Sequence, residues 1–170
     1  RSYGPASEDS KVFVELKKKY RGIVYKRRVS MTETQAESYL AGEAAAPKSS
    51  QIVSELDYFL KQYPGLAPAA YIAYDRQAFF GKDDPDFRIT FDENIRWRDE
   101  DISLSAGTDG EQLLDEGQSL MEIKIADAMP LWRAHELAEL GVFKTNFAKY
   151  GSAYKAMGAG EAIPMNAKMK

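Results

Sequence analysis

Polar side chains, most of them charged, alternate with other residues in five short segments of this 170-residue chain. The pairs are Lys17 with Lys19, Lys26 with Arg28, Tyr74 with Arg76, Arg88 with Asp92, and Glu122 with Lys124. Arginine and lysine bind phosphate oxygens, and a carboxylate can hold a divalent cation that neutralises further phosphate charge. Brought onto one surface, these side chains could bind a linear polyphosphate chain.

The positive charge of the chain is concentrated in one segment, although the net charge is −3. Between Lys11 and Val29 eight basic residues accompany a single acid, Glu15. Such a segment in an acidic chain favours a local anion-binding surface. A nucleic-acid partner is disfavoured, because the basic residues interleave with apolar residues of the buried type and not with exposed aromatics suited to base stacking.

Composition excludes several classes of site. The chain has no cysteine, which removes thiolate nucleophiles, zinc-thiolate sites and disulfides, and it has one histidine, His135, which we expect to be structural. No Walker-type glycine-rich loop and no apolar run of about twenty residues is present. We expect a soluble, cytoplasmic chain with no transmembrane segment, and association with a membrane assembly is left open. Because the sequence begins Arg-Ser-Tyr-Gly-Pro without methionine, it reads as a fragment of a longer protein.

The alternating segments predict the strands that would position these side chains. Two of them form a hairpin with a tight turn at Arg21 and Gly22, in which Val12, Val14 and Leu16 lie on the face opposite Lys17. The predicted strands are residues 12–20, 22–29, 69–78, 87–97 and 120–125, and residues 103–117 are predicted to form an acidic loop.

Capping residues and helical spacing predict four helices. They cover residues 30–46, 51–63, 130–140 with Gly141 after the C-cap, and 143–157 with Phe147, Tyr150 and Tyr154 on the apolar face. Residues 158–170 are predicted to be a tail, and residues 1–157 a single domain.

A single ionic strand face is usually the solvated face of an antiparallel sheet. Here several such faces occur together, and the apolar residues between them, such as Val12–Leu16 and Phe87–Phe91, are bulky enough to need burial under helices. An α+β fold explains both features if an antiparallel β-barrel has its ionic side inside and helices packed on the outside.

Seven motifs, in order along the chain, resemble those of the VTC (vacuolar transporter chaperone) domain of the triphosphate tunnel metalloenzymes, the CYTH-like superfamily. They are Arg1-Ser-Tyr-Gly, Val12-Phe-Val-Glu-Leu-Lys17, Tyr25-Lys-Arg-Arg28, Tyr74-Asp-Arg-Gln-Ala-Phe79, Arg88-Ile-Thr-Phe-Asp92, Met121-Glu-Ile-Lys124 and Phe147-Ala-Lys-Tyr150. The resemblance runs from Arg1 to about Tyr154. It implies a triphosphate tunnel and a polyphosphate polymerase, which transfers the γ-phosphate of ATP to a polyphosphate chain with Mg²⁺ or Mn²⁺.

The resemblance also implies a role for individual residues. Glu122 matches the glutamate that holds the metal, and Lys149 matches a lysine at one tunnel mouth that would guide the product chain. Further matches to phosphate-binding residues of the tunnel are Arg1, Lys17, Lys26, Tyr74, Arg76 and Arg88. Four more residues, Arg28, Lys124, Asp92 and Glu15, lie on the expected faces.

Two departures from the family pattern affect these expectations. A Ser-Lys-Tyr motif of the family reads Ala148-Lys149-Tyr150 here, which removes one hydroxyl that could contact phosphate. The chain also starts inside an Arg-x-Arg motif, so we expect the N-terminal strands of the barrel to be missing. The open edge would then suit completion by a partner, strand exchange or oligomerisation.

Three functions remain open at this stage. The first is the polymerase, with ATP and polyphosphate as partners. The second is hydrolysis of tripolyphosphate or nucleoside triphosphates, in which water replaces the acceptor phosphate. The third is a non-catalytic domain that binds polyphosphate or inositol polyphosphates.

Overall fold

The computed structural model describes residues 1–84, 86–126 and 128–158. The chain forms two compact units: the first comprises Arg1–Ala69 and Asp101–Thr108, and the second Ala70–Glu100 and Asp109–Lys170. Both contain antiparallel sheets with helices, so the α+β class is confirmed. Within the described ranges the strands form a two-stranded and a four-stranded sheet, and neither sheet closes on itself.

The first unit is built on the predicted hairpin. Strand β1 (Lys11–Tyr20) pairs antiparallel with β2 (Ile23–Thr32) over the full length of both strands. Arg21 and Gly22 connect them with φ values of 49° and 82°. A two-residue turn with positive φ at both positions matches the right-handed twist of the paired strands, which explains the register.

The hairpin buries one face against two helices, α1 (Glu33–Leu40) and α2 (Gln51–Gln62). Val12, Val14 and Leu16 are all buried there, as their alternation predicts. Alternation also predicts an apolar face at Ile23 and Tyr25 near the turn, and that prediction is wrong, because both residues are exposed. On that part of the same face, two cations bind a helix carboxylate: Lys18 and Arg27 lie 3.2 and 3.3 Å from Glu55 Oε2.

Helix α1 is shorter than predicted at both ends. Residues 30–32 belong to β2, and Thr32 caps the helix in a reciprocal pair of hydrogen bonds with Gln35, an arrangement worth about 1 kcal/mol. The helix ends at Leu40 because Gly42 adopts a left-handed φ of 77° just after the C-cap. Helix α2 follows the prediction closely, with Ser50 as its N-cap.

The second unit is a sheet centred on β4 (Arg88–Arg98). Strand β3 (Tyr71–Phe80) pairs along one edge of β4, while β5 (Glu111–Gln112) and β6 (Leu120–Lys124) pair along the other. Three of these strands were predicted. The fourth, β5, lies inside the segment predicted to be a loop, because two residues without an apolar pattern give no strand signal.

A β-bulge interrupts β4 at a position that the sequence pattern misses. Ala73 pairs with Arg96 and Asp75 with Glu93, so Asn94 and Ile95 together lie opposite Tyr74. Asn94 has a φ of 50°, a conformation that asparagine tolerates better than most residues. The strict alternation predicted for residues 87–97 is therefore wrong beyond Glu93.

Helix α3 (Leu131–Glu139) has the predicted position, and Gly141 follows it with a φ of 64°. None of its residues is buried: Leu131 is 88% and Trp132 55% exposed. None of the helices in the described residues is long and apolar enough to cross a membrane.

The last helix, α4, covers only Lys149–Ala156, so the prediction of a helix from residue 143 is wrong. Thr145 and Asn146 are weak helix formers, and Ala148, at the N-cap, makes no side-chain capping bond. The predicted apolar face is also wrong for Tyr150, which is 53% exposed, while Ala153 is fully buried. Of the predicted tail, residues 159–170 lie outside the described part of the chain.

Candidate functional site

One face of the β1–β2 hairpin holds a carboxylate among three cations. The Glu15 side chain is only 9% exposed, and it forms salt bridges to Arg1 Nε at 2.9 Å and to Lys26 Nζ at 3.0 Å. Arg28, directly opposite Glu15 in the strand register, forms a third salt bridge. Three cations share one carboxylate, so this hairpin cluster (Arg1, Glu15, Lys17, Lys26 and Arg28) has an excess of positive charge.

Lys17 extends the hairpin cluster toward solvent. It is exposed and pairs directly with Lys26 in the strand register. Within the residues that the structure describes, Lys17 has no carboxylate partner. Like charges directly opposite each other destabilise a sheet, so the pair would gain from an anion bound to both ammonium groups.

The sheet of the second unit holds a second carboxylate among cations. Asp92 on β4 has no exposed surface, and Arg76 on β3 lies opposite it. The guanidinium binds the carboxylate in bidentate fashion, with Nε 2.5 Å from Oδ1 and Nη2 2.7 Å from Oδ2. Lys149 at the start of α4 places its Nζ 2.5 Å from Oδ2.

Tyr74 lies two residues before Arg76 on the same face. The Arg76 guanidinium carbon is 5.1 Å and the Lys149 Nζ 4.6 Å from the centre of its ring. These distances permit cation–π attraction, which helps to hold both cations beside Asp92.

The same face continues across β4 to β6. Glu122 pairs with Thr90, and Lys124 pairs with Arg88, which places a second pair of cations directly opposite each other. Glu122 lies 3.2 Å from Lys124 Nζ and 3.9 Å from Arg76 Nη2. We refer to the residues of this face as the sheet cluster. Its members are Tyr74, Arg76, Arg88, Asp92, Glu122, Lys124 and Lys149.

A cavity of about 190 Å³ lies at the edge of the sheet cluster. It is lined by Phe80, Asp86, Arg88 and Lys124, and the Arg88 guanidinium is 5.9 Å from the Phe80 ring centre. The opposed cations therefore border an open space that a small anion could enter.

Neighbouring cations keep the carboxylates of Asp92 and Glu15 ionised. Burial alone would raise the pKa of Asp92, but hydrogen bonds from Arg76 and Lys149 hold that pKa below its ordinary value. Burial likewise opposes ionisation of Glu15, and hydrogen bonds from Lys26 and Arg28 lower its pKa. The bond to Asp92 raises the pKa of Arg76.

The predicted site residues fall into these two groups. The hairpin cluster contains Arg1, Lys17, Lys26 and Arg28, and the sheet cluster contains Tyr74, Arg76, Arg88, Glu122, Lys124 and Lys149. Sequence analysis placed Asp92 and Glu15 on the right faces but gave them no role. The sequence feature that could have identified both residues is a single carboxylate at an alternating position on a strand face that is otherwise basic.

Glu122 suits a metal ion that arrives with phosphate, not one held by protein alone. Its side chain is 44% exposed, with Lys124 at 3.2 Å and Arg76 at 3.9 Å, whereas Asp92 is fully buried between Arg76 and Lys149. Across the described ranges no three His, Cys, Asp or Glu side chains are grouped to hold a metal ion. Mg²⁺ commonly binds through one or two carboxylates, substrate phosphates and water, and Glu122 can supply one such oxygen ligand.

Comparison with known proteins agrees with the motifs. A family model described as the VTC domain matches residues 1–158, which include both clusters. A search of curated proteins found no match. The VTC domain family is part of the CYTH-like superfamily and is linked to polyphosphate metabolism and to phosphotransferase-type activity. Since the family model covers most of the sequence, the chain belongs to the VTC domain family.

Proposed function

We propose that this chain is a polyphosphate polymerase domain, which binds ATP and polyphosphate and transfers the γ-phosphate of ATP to the growing chain. One observation carries the proposal: two pairs of cations lie directly opposite each other, Lys17 with Lys26 and Arg88 with Lys124. Family membership supports the choice of polyphosphate as the anion.

The opposed pairs favour a ligand with several negative charges. Like charges directly opposite each other destabilise a sheet, and the nearby carboxylates Glu15 and Glu122 each offset only one cation of a pair, Lys26 and Lys124. A phosphate group between the two cations replaces this repulsion with charge-assisted hydrogen bonds. A linear chain of phosphates repeats its charge along its length, so it can bind successive cations on one face.

Transfer between phosphates requires alignment and charge neutralisation more than covalent chemistry. In our proposal Lys17, Lys26, Arg76 and Arg88 hold phosphate oxygens, and Arg1, Arg28, Tyr74 and Lys124 add contacts on the same faces. Lys149 guides the product chain. Within each cluster, cations of this kind would orient a terminal phosphate for in-line attack and offset the charge that develops on a transferred group.

A divalent metal, Mg²⁺ or Mn²⁺, would supply further neutralisation of phosphate charge, and Glu122 would hold it. The proposal also includes the tunnel barrel that the family resemblance implies and a cytoplasmic location. It further includes oligomerisation or strand exchange at an open sheet edge.

A binding domain without catalysis is the second candidate. The observation that favours it is Ala148, which stands where the family motif has serine and which leaves the N-cap of α4 without a side-chain hydrogen bond. The lost hydroxyl removes one possible phosphate contact beside Lys149, while the other cations of the sheet cluster remain.

Product analysis separates the candidates. Incubation with ATP and Mn²⁺ should give polyphosphate chains, detected by gel electrophoresis, and Arg88→Ala should reduce the yield because one of the opposed cations is lost. Lys61→Ala, which removes an exposed lysine of α2, is the matched control and should not change it. Orthophosphate as the only product would favour hydrolysis, and binding without turnover would favour the second candidate.

A further inference from the structure

Asp92 combines three features that distinguish it from the other carboxylates of the sheet cluster. It is fully buried, both of its oxygens are engaged, and its partners come from two different elements. Arg76 belongs to β3, whereas Lys149 belongs to α4. One carboxylate thus links a strand and a helix that each carry a proposed phosphate ligand.

The burial of Asp92 excludes direct contact with a phosphate chain. A buried anion beside an anion-binding surface would also weaken phosphate binding if its only effect were electrostatic, since like charges repel. Its presence therefore needs a second effect that outweighs the repulsion. The bidentate geometry supplies one, because a guanidinium held at two nitrogens has a fixed plane and direction.

The Lys149 side chain has two contacts that help to fix its position, one to Asp92 and one to the Tyr74 ring. Ala153 is the fully buried residue of α4, and the N-cap of the helix lacks a side-chain hydrogen bond. The Lys149 side chain is 18% exposed, and its ammonium group lies between Asp92 and the Tyr74 ring. Among the described residues, the salt bridge to Asp92 is a polar contact that joins the start of α4 to the sheet.

We propose that Asp92 is a positioning residue: it sets the orientation of Arg76 and the position of Lys149, and it binds no phosphate itself. The inference rests on the proposed phosphate-binding role of those two cations. Glu15 has the same arrangement in the hairpin cluster, where a side chain that is 9% exposed joins Arg1, Lys26 and Arg28. Among the described residues, each unit therefore contains a carboxylate of this kind.

The variant Asp92→Asn distinguishes positioning from a charge effect, because the two effects have opposite signs. Removing one negative charge alone would tighten tripolyphosphate binding. Losing the orientation of Arg76 and Lys149 should instead weaken it about tenfold and lower the turnover rate more than the apparent substrate affinity. The matched control is Asp75→Asn, which removes a carboxylate from the other face of the same strand pair and should change affinity little.

A second measurement needs no turnover, and its wild-type comparison needs no variant. In the wild-type chain, Lys149 should react with an amine-specific acylating reagent more slowly than the exposed Lys144, because its side chain is 18% exposed and its ammonium group lies against Asp92. In a folded Asp92→Asn variant the Lys149 rate should rise while the Lys144 rate stays constant. Equal rates for the two lysines in the wild type, or tighter tripolyphosphate binding by Asp92→Asn, would overturn the inference. Absence of tripolyphosphate binding by the wild type would refute the proposed function instead, and the labelling rates would still decide whether Asp92 positions Lys149.

Discussion

Arg76→Ala is expected to lower the free energy of unfolding by about 3 kcal/mol and to remove most of the affinity for tripolyphosphate. The stability loss follows because Asp92 is fully buried and would lose its bidentate partner, leaving Lys149 as its remaining cation. The affinity loss follows because the guanidinium is one of the proposed phosphate ligands. Urea denaturation measures the first effect and isothermal titration calorimetry the second.

Two further variants make this test specific. Arg76→Lys keeps the charge but cannot form two parallel hydrogen bonds, so both effects should be intermediate. Lys61→Ala removes an exposed cation of α2 and should change neither quantity measurably. The account would be contradicted if Arg76→Ala retained both wild-type stability and wild-type affinity.

Stability is expected to fall as the pH drops through the acidic range. The pKa of Asp92 is lowered from its ordinary value of 3.8, and that of Glu15 from 4.5, by their cationic partners. Near and below these ordinary values the unfolded chain binds more protons than the folded one, so stability decreases with decreasing pH. The stabilising contribution is complete above the ordinary values and is lost as the pH falls through the lowered ones.

One carboxylate acts in the opposite direction. Burial and the neighbouring Glu37 raise the pKa of Glu33, so its ionisation destabilises the fold above the ordinary value of 4.5. Urea unfolding at several pH values between 7 and 3 measures the net effect. Asp92→Asn and Glu15→Gln should each flatten the acidic decline, and a decline equally steep in wild type and both variants would show that other groups cause it.

The shared faces of the candidate site could be predicted from sequence because strand alternation is a local property. Arg76, Arg88 and Glu122 were placed on polar faces by a period of two, and the register of β3, β4 and β6 puts them on one surface. The hairpin was equally predictable, since Arg21 and Gly22 specify its turn. The functional roles of these residues stay predictions.

The parts that sequence analysis missed depend on contacts between distant segments. The salt bridge between Lys149 and Asp92 joins a helix start to a strand, and no local pattern encodes it. The bulge at Asn94 is visible in the register between β3 and β4, whereas a single asparagine in an alternating segment does not by itself specify a bulge. Leu131, Leu137 and Ala138 recur at helical spacing in α3, yet Leu131 is exposed, because an amphipathic pattern alone does not specify what covers it.

The measurement that tests the central claim most directly is calorimetric titration of the wild-type chain with tripolyphosphate, with and without Mn²⁺, at two salt concentrations. Binding by the opposed cations predicts micromolar affinity that strengthens with Mn²⁺ and weakens at higher salt, because phosphate contacts made by lysine and arginine are screened. Absence of binding under all four conditions, or affinity that salt leaves unchanged, would contradict the account.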